Sequence, residues 1–198
     1  SFSEYITIPD KWVEKLPKKL TSKEIMMIGT SGFTALKALN KTLGKILKHK
    51  KIPVLVTGAL SNVGMFLIFL LINMGVSVEV VTSKKNNIKI LKKMGVSEVH
   101  ILSNFIKTHN FSLMKEKYSV IFDNLGGNMI SVCLKYLIKK GILISIGNIL
   151  GNISNINILP LILREVKIFG VNAESSGKKE REKIFQLFKT MSLKRKSL

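Results

Sequence analysis

The sequence lacks most of the residues from which disulfides and metal sites are built. Its 198 residues include one cysteine, Cys133, and three isolated histidines, His49, His100 and His109. A single cysteine excludes an internal disulfide and fits a reducing compartment, no cysteine pair has zinc-site spacing, and the start has no signal-peptide pattern. We therefore expect a cytoplasmic protein without a metal site, with Cys133 as a small buried residue of a helix.

Long apolar runs and acidic residues are also scarce. The apolar run from Met65 to Met74 is shorter than the roughly 20 residues that span a bilayer, so it predicts a buried helix and no membrane partner. Only 12 residues are acidic against 32 lysines and arginines, which gives a formal charge of +20. The excess is almost all lysine, scattered without interleaved aromatic residues. We interpret it mainly as a solvated surface and keep nucleic-acid binding as the weakest hypothesis.

From residue 53 onward, strand and helix patterns alternate regularly. Near-continuous apolar strands separated by helices indicate a parallel sheet that helices cover on both faces. The sequence therefore predicts an α/β fold with a doubly wound parallel sheet, a Rossmann-type nucleotide-binding domain over residues 21–198. The predicted strands are 53–57, 76–82, 98–102, 119–123, 142–147 and 166–171, and the last predicted helix is 178–191.

The segment before the first sheet strand has its own pattern. Residues 4–9 resemble a short strand, followed by a proline-punctuated link. Residues 21–24, Thr-Ser-Lys-Glu, form a capping box that predicts a helix starting near Lys23. This helix runs toward Ile28, a second helix follows Gly32, and residues 44–51 are expected to form an exposed basic loop.

One turn, from Gly58 to Gly64, has the pattern of a phosphate-binding loop. It joins an apolar strand to the apolar helix, so a helix N-terminus would face an anion bound there. Gly58 and Gly64 stand where the first and last small residues of such a turn belong, but Ser61 takes the middle position. Its side chain could crowd a pyrophosphate, or its hydroxyl and the Asn62 amide could donate to it. Alone, the turn fits an ordinary strand-to-helix corner equally well.

The end of the second predicted strand bears on the choice of cofactor. It reads Thr82-Ser83-Lys84-Lys85 and contains no acidic residue. NAD sites usually place Asp or Glu here for the ribose hydroxyls, whereas a small hydroxyl residue with a cation suits the 2′-phosphate of NADP. The sequence therefore favours NADPH, although solvated lysines ahead of a helix are nearly as good an interpretation.

The other strand ends offer polar residues but no catalytic constellation. Asp123 and Asn124 end the fourth strand, and Gly147 and Asn148 end the fifth, both positions that can border the nicotinamide half of a dinucleotide. Asp123 could equally cap a helix. No nucleophile beside a base, pair of carboxylates or acid histidine stands at these ends, so the catalytic residues stay unassigned.

Several stretches together resemble one family. The runs 28–35 (IGTSGFTA) and 162–171 (ILREVKIFGV) do not follow from a generic dinucleotide-binding pattern. With Glu4-Tyr5, residues 54–64 and residues 123–126, they are similar to the zinc-free quinone-oxidoreductase-like branch of the medium-chain dehydrogenase/reductase superfamily, and specifically to its acrylyl-CoA reductase group. The resemblance covers nearly the whole chain.

The resemblance implies which residues would hold NADPH. The residues implied, with Gly58 taken from the turn itself, are Thr34 near the nicotinamide, Gly58, Ser61, Asn62 and Val63 at the pyrophosphate, Thr82 and Lys84 at the 2′-phosphate, and Asn124 and Gly147 beside the ribose and nicotinamide. Three positions depart from the family pattern: glycines are expected at 61 and 62, and arginine is usual at 84. Lysine there weakens bidentate recognition of the phosphate.

The family also implies a GroES-like catalytic domain, which is largely missing here. By the resemblance, residues 1–20 are expected to be the end of that domain and its link, so the chain resembles a cofactor domain alone.

The resemblance implies an NADPH-dependent oxidoreductase that transfers hydride to an activated C=C bond of a 2-enoyl thioester, or to a quinone-like acceptor. It also implies that this fragment is inactive by itself and that a homodimer forms through residues 166–171. The alternative is a truncated, non-catalytic remnant that binds a nucleotide or a partner chain.

Overall fold

Six parallel strands form a single sheet in the computed structural model, which describes residues 3–13, 21–107 and 111–193. The strand order is β3-β2-β1-β4-β5-β6, so the prediction of a doubly wound α/β fold is confirmed. The strands are β1 Val54–Thr57, β2 Val78–Thr82, β3 Glu98–Ile101, β4 Tyr118–Asp123, β5 Leu137–Ser145 and β6 Lys167–Gly170. The helices are α1 Ser22–Lys48, α2 Asn62–Asn73, α3 Ile88–Lys93, α4 Leu102–Lys107, α5 Met129–Leu134, α6 Leu159–Arg164 and α7 Lys178–Leu193.

The sheet separates two layers of buried side chains. Every residue of β1, β2 and β4 is buried, and alternate residues point to opposite faces. Val54 and Val56 join a cluster with residues of α1, α2, α3 and α7. Leu55 and Ile121 join a second cluster with residues of α4, α5 and α6. Both faces are therefore covered by helices, which is why the strands are nearly continuous in apolar residues.

The strand order places a switch point in the middle of the sheet. The chain proceeds from β1 outward to β2 and β3, then returns to β4 on the other side of β1, and Val54 pairs with both Val78 and Val120. Ligands of such sheets bind outside the carboxyl ends of the strands at this point. The ends of β1, β2, β4 and β5 therefore define the candidate site.

Helix α1 differs from its prediction in one respect. It starts at Ser22, as the capping pattern indicated, but it is interrupted only at Gly29, whose φ of 48° and ψ of −160° are non-helical. The chain then stays helical to Lys48, so the prediction of a loop from residue 44 was wrong. Ile46 explains the difference, since its side chain is completely buried and extends the apolar face by a further turn. The Glu24 side chain of the capping box lies outside the described part.

Two strand predictions also needed correction. Strand β5 begins at Leu137, before the predicted Ile142, because Tyr118 pairs with Leu137 while Val120 pairs with Ile142. The polar residues between Leu137 and Ile142 interrupt the ladder and look like a turn in the sequence. In the N-terminal segment, residues 3–13 contain a 3₁₀ turn at Asp10–Trp12 and no strand; residues 14–20 lie outside the described part.

A buried lysine attaches α7 to α1. The Lys37 ammonium donates to the Asn172 carbonyl at 2.8 Å, to the Ser176 hydroxyl at 2.7 Å and to the Glu180 carboxylate at 3.0 Å. Below these contacts, Ile184 of α7 is buried in the same cluster as α1. The amphipathic last helix is thus confirmed, although the Met191 side chain lies outside the described part. Cys133 is fully buried in α5, as expected.

Candidate functional site

The turn between β1 and α2 is closed by its own hydrogen bonds. Gly58 has a φ of +59°, a conformation that favours glycine. The Ser61 amide donates to the Gly58 carbonyl at 2.9 Å. The Ser61 hydroxyl then accepts from the Gly64 amide at 3.0 Å and caps α2. The residue that departs from the family pattern therefore takes the role of a helix N-cap.

The geometry explains which positions of the turn require glycine. A Cβ atom at Gly64 would lie 2.6 Å from the Gly58 carbonyl oxygen, too close for any other residue without movement. Ser61 has φ −70° and ψ 155°, ordinary extended backbone that a residue with a Cβ adopts freely. Asn62 and Val63 begin the helix, so their amides have no helical partner. These two amides can donate to an anion.

The end of β2 is shaped by Thr82. Its side chain is buried, and its hydroxyl oxygen accepts from the Lys84 amide at 3.2 Å. The Lys84 and Lys85 side chains are exposed. Residues 82–87 include no carboxylate, and Glu79, the acid nearest to them on β2, is engaged elsewhere. This strand end therefore presents a hydroxyl and ammonium groups.

The end of β4 is tied to the end of β1. The Thr57 hydroxyl donates to the Asp123 carboxylate and accepts from the Asn124 amide at 3.1 Å. The same carboxylate accepts from the amides of Leu125 at 3.2 Å and Gly126 at 2.9 Å. Burial raises the pKa of Asp123, although these hydrogen bonds oppose the rise. Asp123 thus holds the loop after β4 to the end of β1. It does not cap a helix, the other role left open by the sequence, because α5 begins only at Met129, after Asn128.

Asn124 and Gly147 come together at this edge. The Asn124 side-chain amide donates to the Thr57 carbonyl at 2.8 Å. A Cβ atom at Gly147 would lie only 2.3 Å from the Asn124 carbonyl oxygen, so the loop after β5 requires glycine here. The ends of β1, β4 and β5 therefore form one connected group. Thr34 makes a local contact instead, donating to the Thr30 carbonyl within α1 at 2.8 Å.

A buried charge cluster below the site was missed from the sequence. The Glu79 carboxylate lies 2.8 Å from His100 Nε2, 2.7 Å from the Lys117 ammonium and 2.8 Å from the Tyr118 hydroxyl. Burial alone would raise the pKa of Glu79, but the hydrogen bonds from these three partners lower it to about 2. The one signal was Glu79 itself, a lone charge in an otherwise uncharged strand.

The same cluster contains a set of potential metal ligands. Within the described residues, Glu79, Glu98 and His100 offer ligand atoms within 4.8 Å of one another. The Lys117 ammonium lies 2.7 Å from Glu79 and 3.1 Å from Glu98, so a protein cation already neutralises the two carboxylates. This arrangement does not fit a metal ion, and the expectation of no metal site remains a prediction; His109 lies outside the described part.

Comparison with known proteins identifies the family. The model for zinc-binding dehydrogenases matches residues 62–190. YhfP of Bacillus subtilis, named as a quinone oxidoreductase, is 30% identical over 171 residues, which cover 86% of this chain and 52% of YhfP. Acrylyl-CoA reductase AcuI of Ruegeria pomeroyi is 26% identical over 172 residues, which cover 87% of this chain and 52% of AcuI. The chain thus spans about half the length of the curated relatives it matches.

Solved structures agree with the sequence comparison. The structure of YhdH from Escherichia coli K-12 with bound NADPH superposes with a TM-score of 0.84 at 25% identity and covers 90% of this chain and 55% of YhdH. The structure of YhfP from Bacillus subtilis with NAD bound superposes with a TM-score of 0.86 at 26% identity and covers 93% of this chain and 56% of YhfP.

Among the described helices, none combines the length and the apolar character needed to cross a membrane. The family match, the relatives and the strand order all agree. The chain therefore belongs to the zinc-binding dehydrogenase family, and its relatives agree with the resemblance to the quinone-oxidoreductase-like branch of the medium-chain dehydrogenase/reductases.

Proposed function

We propose that the chain is the NADPH-binding part of a cytoplasmic oxidoreductase that transfers hydride to an activated C=C bond. The observation that carries the proposal is the turn before α2, where the amides of Asn62 and Val63 begin a helix at the carboxyl edge of the sheet. Relatives named as a quinone oxidoreductase and an acrylyl-CoA reductase support a quinone-like molecule or a 2-enoyl thioester as the acceptor.

NADPH is favoured over NADH by the end of β2. A ribose 2′-hydroxyl is usually bound by a carboxylate at this position, and none is present in residues 82–87. The Thr82 hydroxyl can donate to a 2′-phosphate, and the Lys84 ammonium supplies a point charge. YhdH and YhfP were solved with NADPH and with NAD respectively, so the preference rests on this chain's own residues.

The chain's contribution to the reaction is binding and orientation. A bound nicotinamide supplies the hydride chemistry. Asn62 and Val63 would hold the pyrophosphate, while Asn124 and Gly147 would border the nicotinamide half. The Asp123 carboxylate is fully engaged by Thr57 and two backbone amides, so it does not serve as the proton donor. We therefore expect the acceptor and proton-donor groups on a part of the enzyme beyond this domain. Zinc has no step in this scheme.

Calorimetric titration with NADPH and NADH tests the cofactor proposal. We expect NADPH to bind more tightly, and Lys84→Ala to weaken NADPH binding about tenfold while leaving NADH binding unchanged. Lys93→Ala, an exposed lysine of α3, is the matched control. Equal affinities for the two cofactors would overturn the NADPH preference. Failure of a folded chain to bind either would favour the alternative of a non-catalytic remnant.

The acceptor is tested with the full product of the gene. We expect it to oxidise NADPH in the presence of acrylyl-CoA, and the present chain alone to bind NADPH without turnover. Reduction of quinones but not of acrylyl-CoA would move the proposal to the quinone-oxidoreductase side.

A homodimer through β6 forms part of the proposal. β6 is an edge strand whose outer side is unpaired in the sheet. Phe169 on the strand is 40% exposed, and Ile162 and Leu163 of α6 are 61% and 59% exposed. An uncovered edge beside apolar side chains favours strand pairing with a second chain.

A further inference from the structure

A basic pocket lies on the amino edge of the sheet, away from the candidate cofactor site. It is a cleft open to solvent, with a volume of about 500 Å³, formed by the end of α1, by β5 and by the start of β6. This volume is within the range of small-molecule sites, roughly 300–1,000 Å³. The charged and titratable residues of the pocket are Lys45, Lys48, His49, Lys140, Glu165 and Lys167.

The cations of the basic pocket are close enough to repel one another. Burial lowers the pKa of Lys45, and the charges of Lys48 and Lys140 lower it further. Burial and the charges of Lys45 and Lys48 likewise lower the pKa of His49. The carboxylate of Glu165 lies 3.7 Å from the Lys140 ammonium and is shared with Lys139 at the same distance. One loosely held carboxylate leaves the four lysines largely uncompensated, and a bound anion would relieve this repulsion.

The backbone of the basic pocket is unusual at the same two residues that form its ion pair. In the described part of the chain, Lys140 (φ 58°) and Glu165 (φ 51°) are the non-glycine residues with positive φ. Glu165 follows α6 at the position where glycine usually ends a helix. Glycine would be less strained at both positions, so the presence of charged side chains there points to a role for those side chains.

The position of Lys45 and Lys48 in the last turn of α1 has a partial structural explanation. Cations interact favourably with the carbonyl end of a helix. That explanation does not extend to Lys140 or Lys167, which belong to strands and converge on the same pocket. The convergence of charges from three separate elements is what distinguishes this pocket from the rest of the lysine-rich surface.

We propose that the basic pocket binds a small molecule carrying two or three linked phosphate groups. Lysine ammonium groups are suitable partners for phosphate as point charges, and the pocket is concave rather than an extended stripe. Its lining has no phenylalanine, tyrosine or tryptophan on which a nucleic-acid base would stack, and His49 is its one ring. A compact polyphosphate therefore fits better than a nucleic acid. The proposal is independent of NADPH binding at the other edge of the sheet.

Binding of sodium tripolyphosphate to the chain, measured by calorimetry at constant ionic strength, tests this site. We expect the double variant Lys48→Gln/Lys140→Gln to bind at least tenfold more weakly than the wild type. The control Lys178→Gln/Lys179→Gln removes the same charge from the exposed start of α7 and should change the affinity less than twofold. Both variants should keep the wild-type melting temperature within a few degrees and the wild-type affinity for NADPH.

The pKa of His49 reports directly on binding in the basic pocket, because His49 is one of its lining residues. Tripolyphosphate should raise the pKa of His49, followed by NMR, because negative charge favours the imidazolium. The NMR ring signals of His100, which is paired with Glu79 on β2, should not move when tripolyphosphate is added. Equal loss of affinity in both double variants, or an unchanged His49, would show that binding is non-specific or lies elsewhere and would overturn the proposal. Displacement of tripolyphosphate by single-stranded RNA at lower phosphate concentration would replace it with nucleic-acid binding.

Discussion

At the scale of single residues, Ser61 shows how a departure from a family pattern can be accommodated. The turn needs glycine where the backbone has positive φ or where two segments touch, at Gly58 and Gly64. Position 61 meets neither condition, and serine there gains a helix-capping hydrogen bond. The sequence made the turn doubtful because position 61 carries a side chain. The fold accommodates that side chain.

Ser61→Ala should lower the unfolding free energy of the cofactor-free chain. Loss of the bond to the Gly64 amide leaves α2 without its cap, which costs about 1 kcal/mol of unfolding free energy. Ser61→Gly should cost only a few tenths. Urea denaturation measures both, with the exposed Ser83→Ala as control. An Ala variant as stable as the wild type would show that the cap contributes nothing.

Glu79 should make the free energy of unfolding decrease at acid pH. Its folded pKa, about 2, is below the ordinary 4.5, so the unfolded chain binds the proton more readily. The stabilisation is therefore complete above pH 4.5 and is lost as pH falls toward 2. Glu79→Gln should cost about 2 kcal/mol at neutral pH and flatten the pH dependence of stability between pH 5 and 2.

The control for Glu79 is Glu98→Gln. Glu98 contacts the same Lys117 but its side chain is 54% exposed, so its replacement should change stability by less than about 0.5 kcal/mol. Denaturation at several pH values separates the two. Equal losses of unfolding free energy in Glu79→Gln and Glu98→Gln would show that the buried contacts of Glu79 add no stability.

At the scale of secondary-structure elements, glycine acts very differently at two positions of α1. Gly29 breaks the helical geometry with positive φ, whereas Gly44 has ordinary helical backbone. A Cβ atom at either position would meet nothing within 4 Å. Sterically the two sites are equal, and only the backbone conformation differs.

Gly29→Ala should therefore destabilise the chain by about 1–2 kcal/mol, since alanine disfavours the left-handed region. Gly44→Ala should stabilise it by up to about 1 kcal/mol through helix propensity. Chemical denaturation of the pair is a matched comparison. A stabilising effect at Gly29 would mean that the helix straightens without penalty.

At the scale of the whole molecule, the exposed edge strand β6 favours association with a second chain. Phe169 is exposed on the β6 edge near Ile162 and Leu163 of α6, whereas at the opposite edge β3 packs with α3 and α4. If the homodimer forms through β6, sedimentation velocity should show a dimer of the wild type at micromolar concentration. Phe169→Lys should dissociate it at least tenfold more readily, because like charges would meet across the two-fold axis.

Ile90→Lys serves as the control, since Ile90 is 51% exposed on α3 at the far edge of the sheet. It should leave the dimer intact. A monomeric wild type would count against the interface.

Much of the architecture was predictable because it depends on local patterns. Apolar strands alternating with helices determined a parallel sheet covered on both faces, and the runs 28–35 and 162–171 indicated the family. All six strands were located, with β5 cut short at its start, because Lys139 and Lys140 interrupt its pattern as a turn would. The cofactor contacts proposed for Thr34, Lys84 and the other site residues stay predictions.

The sequence by itself thus determined the fold class, the position of the glycine turn before α2 and the family, since periodicity, turn chemistry and short motifs act over a few residues. Only the tertiary structure decided which distant charges meet. Glu79 with His100 and Lys117, Lys37 with Glu180, and the cations of the basic pocket come from segments far apart in the chain. Their partners follow from strand order and helix packing, which bring together residues that no local pattern connects.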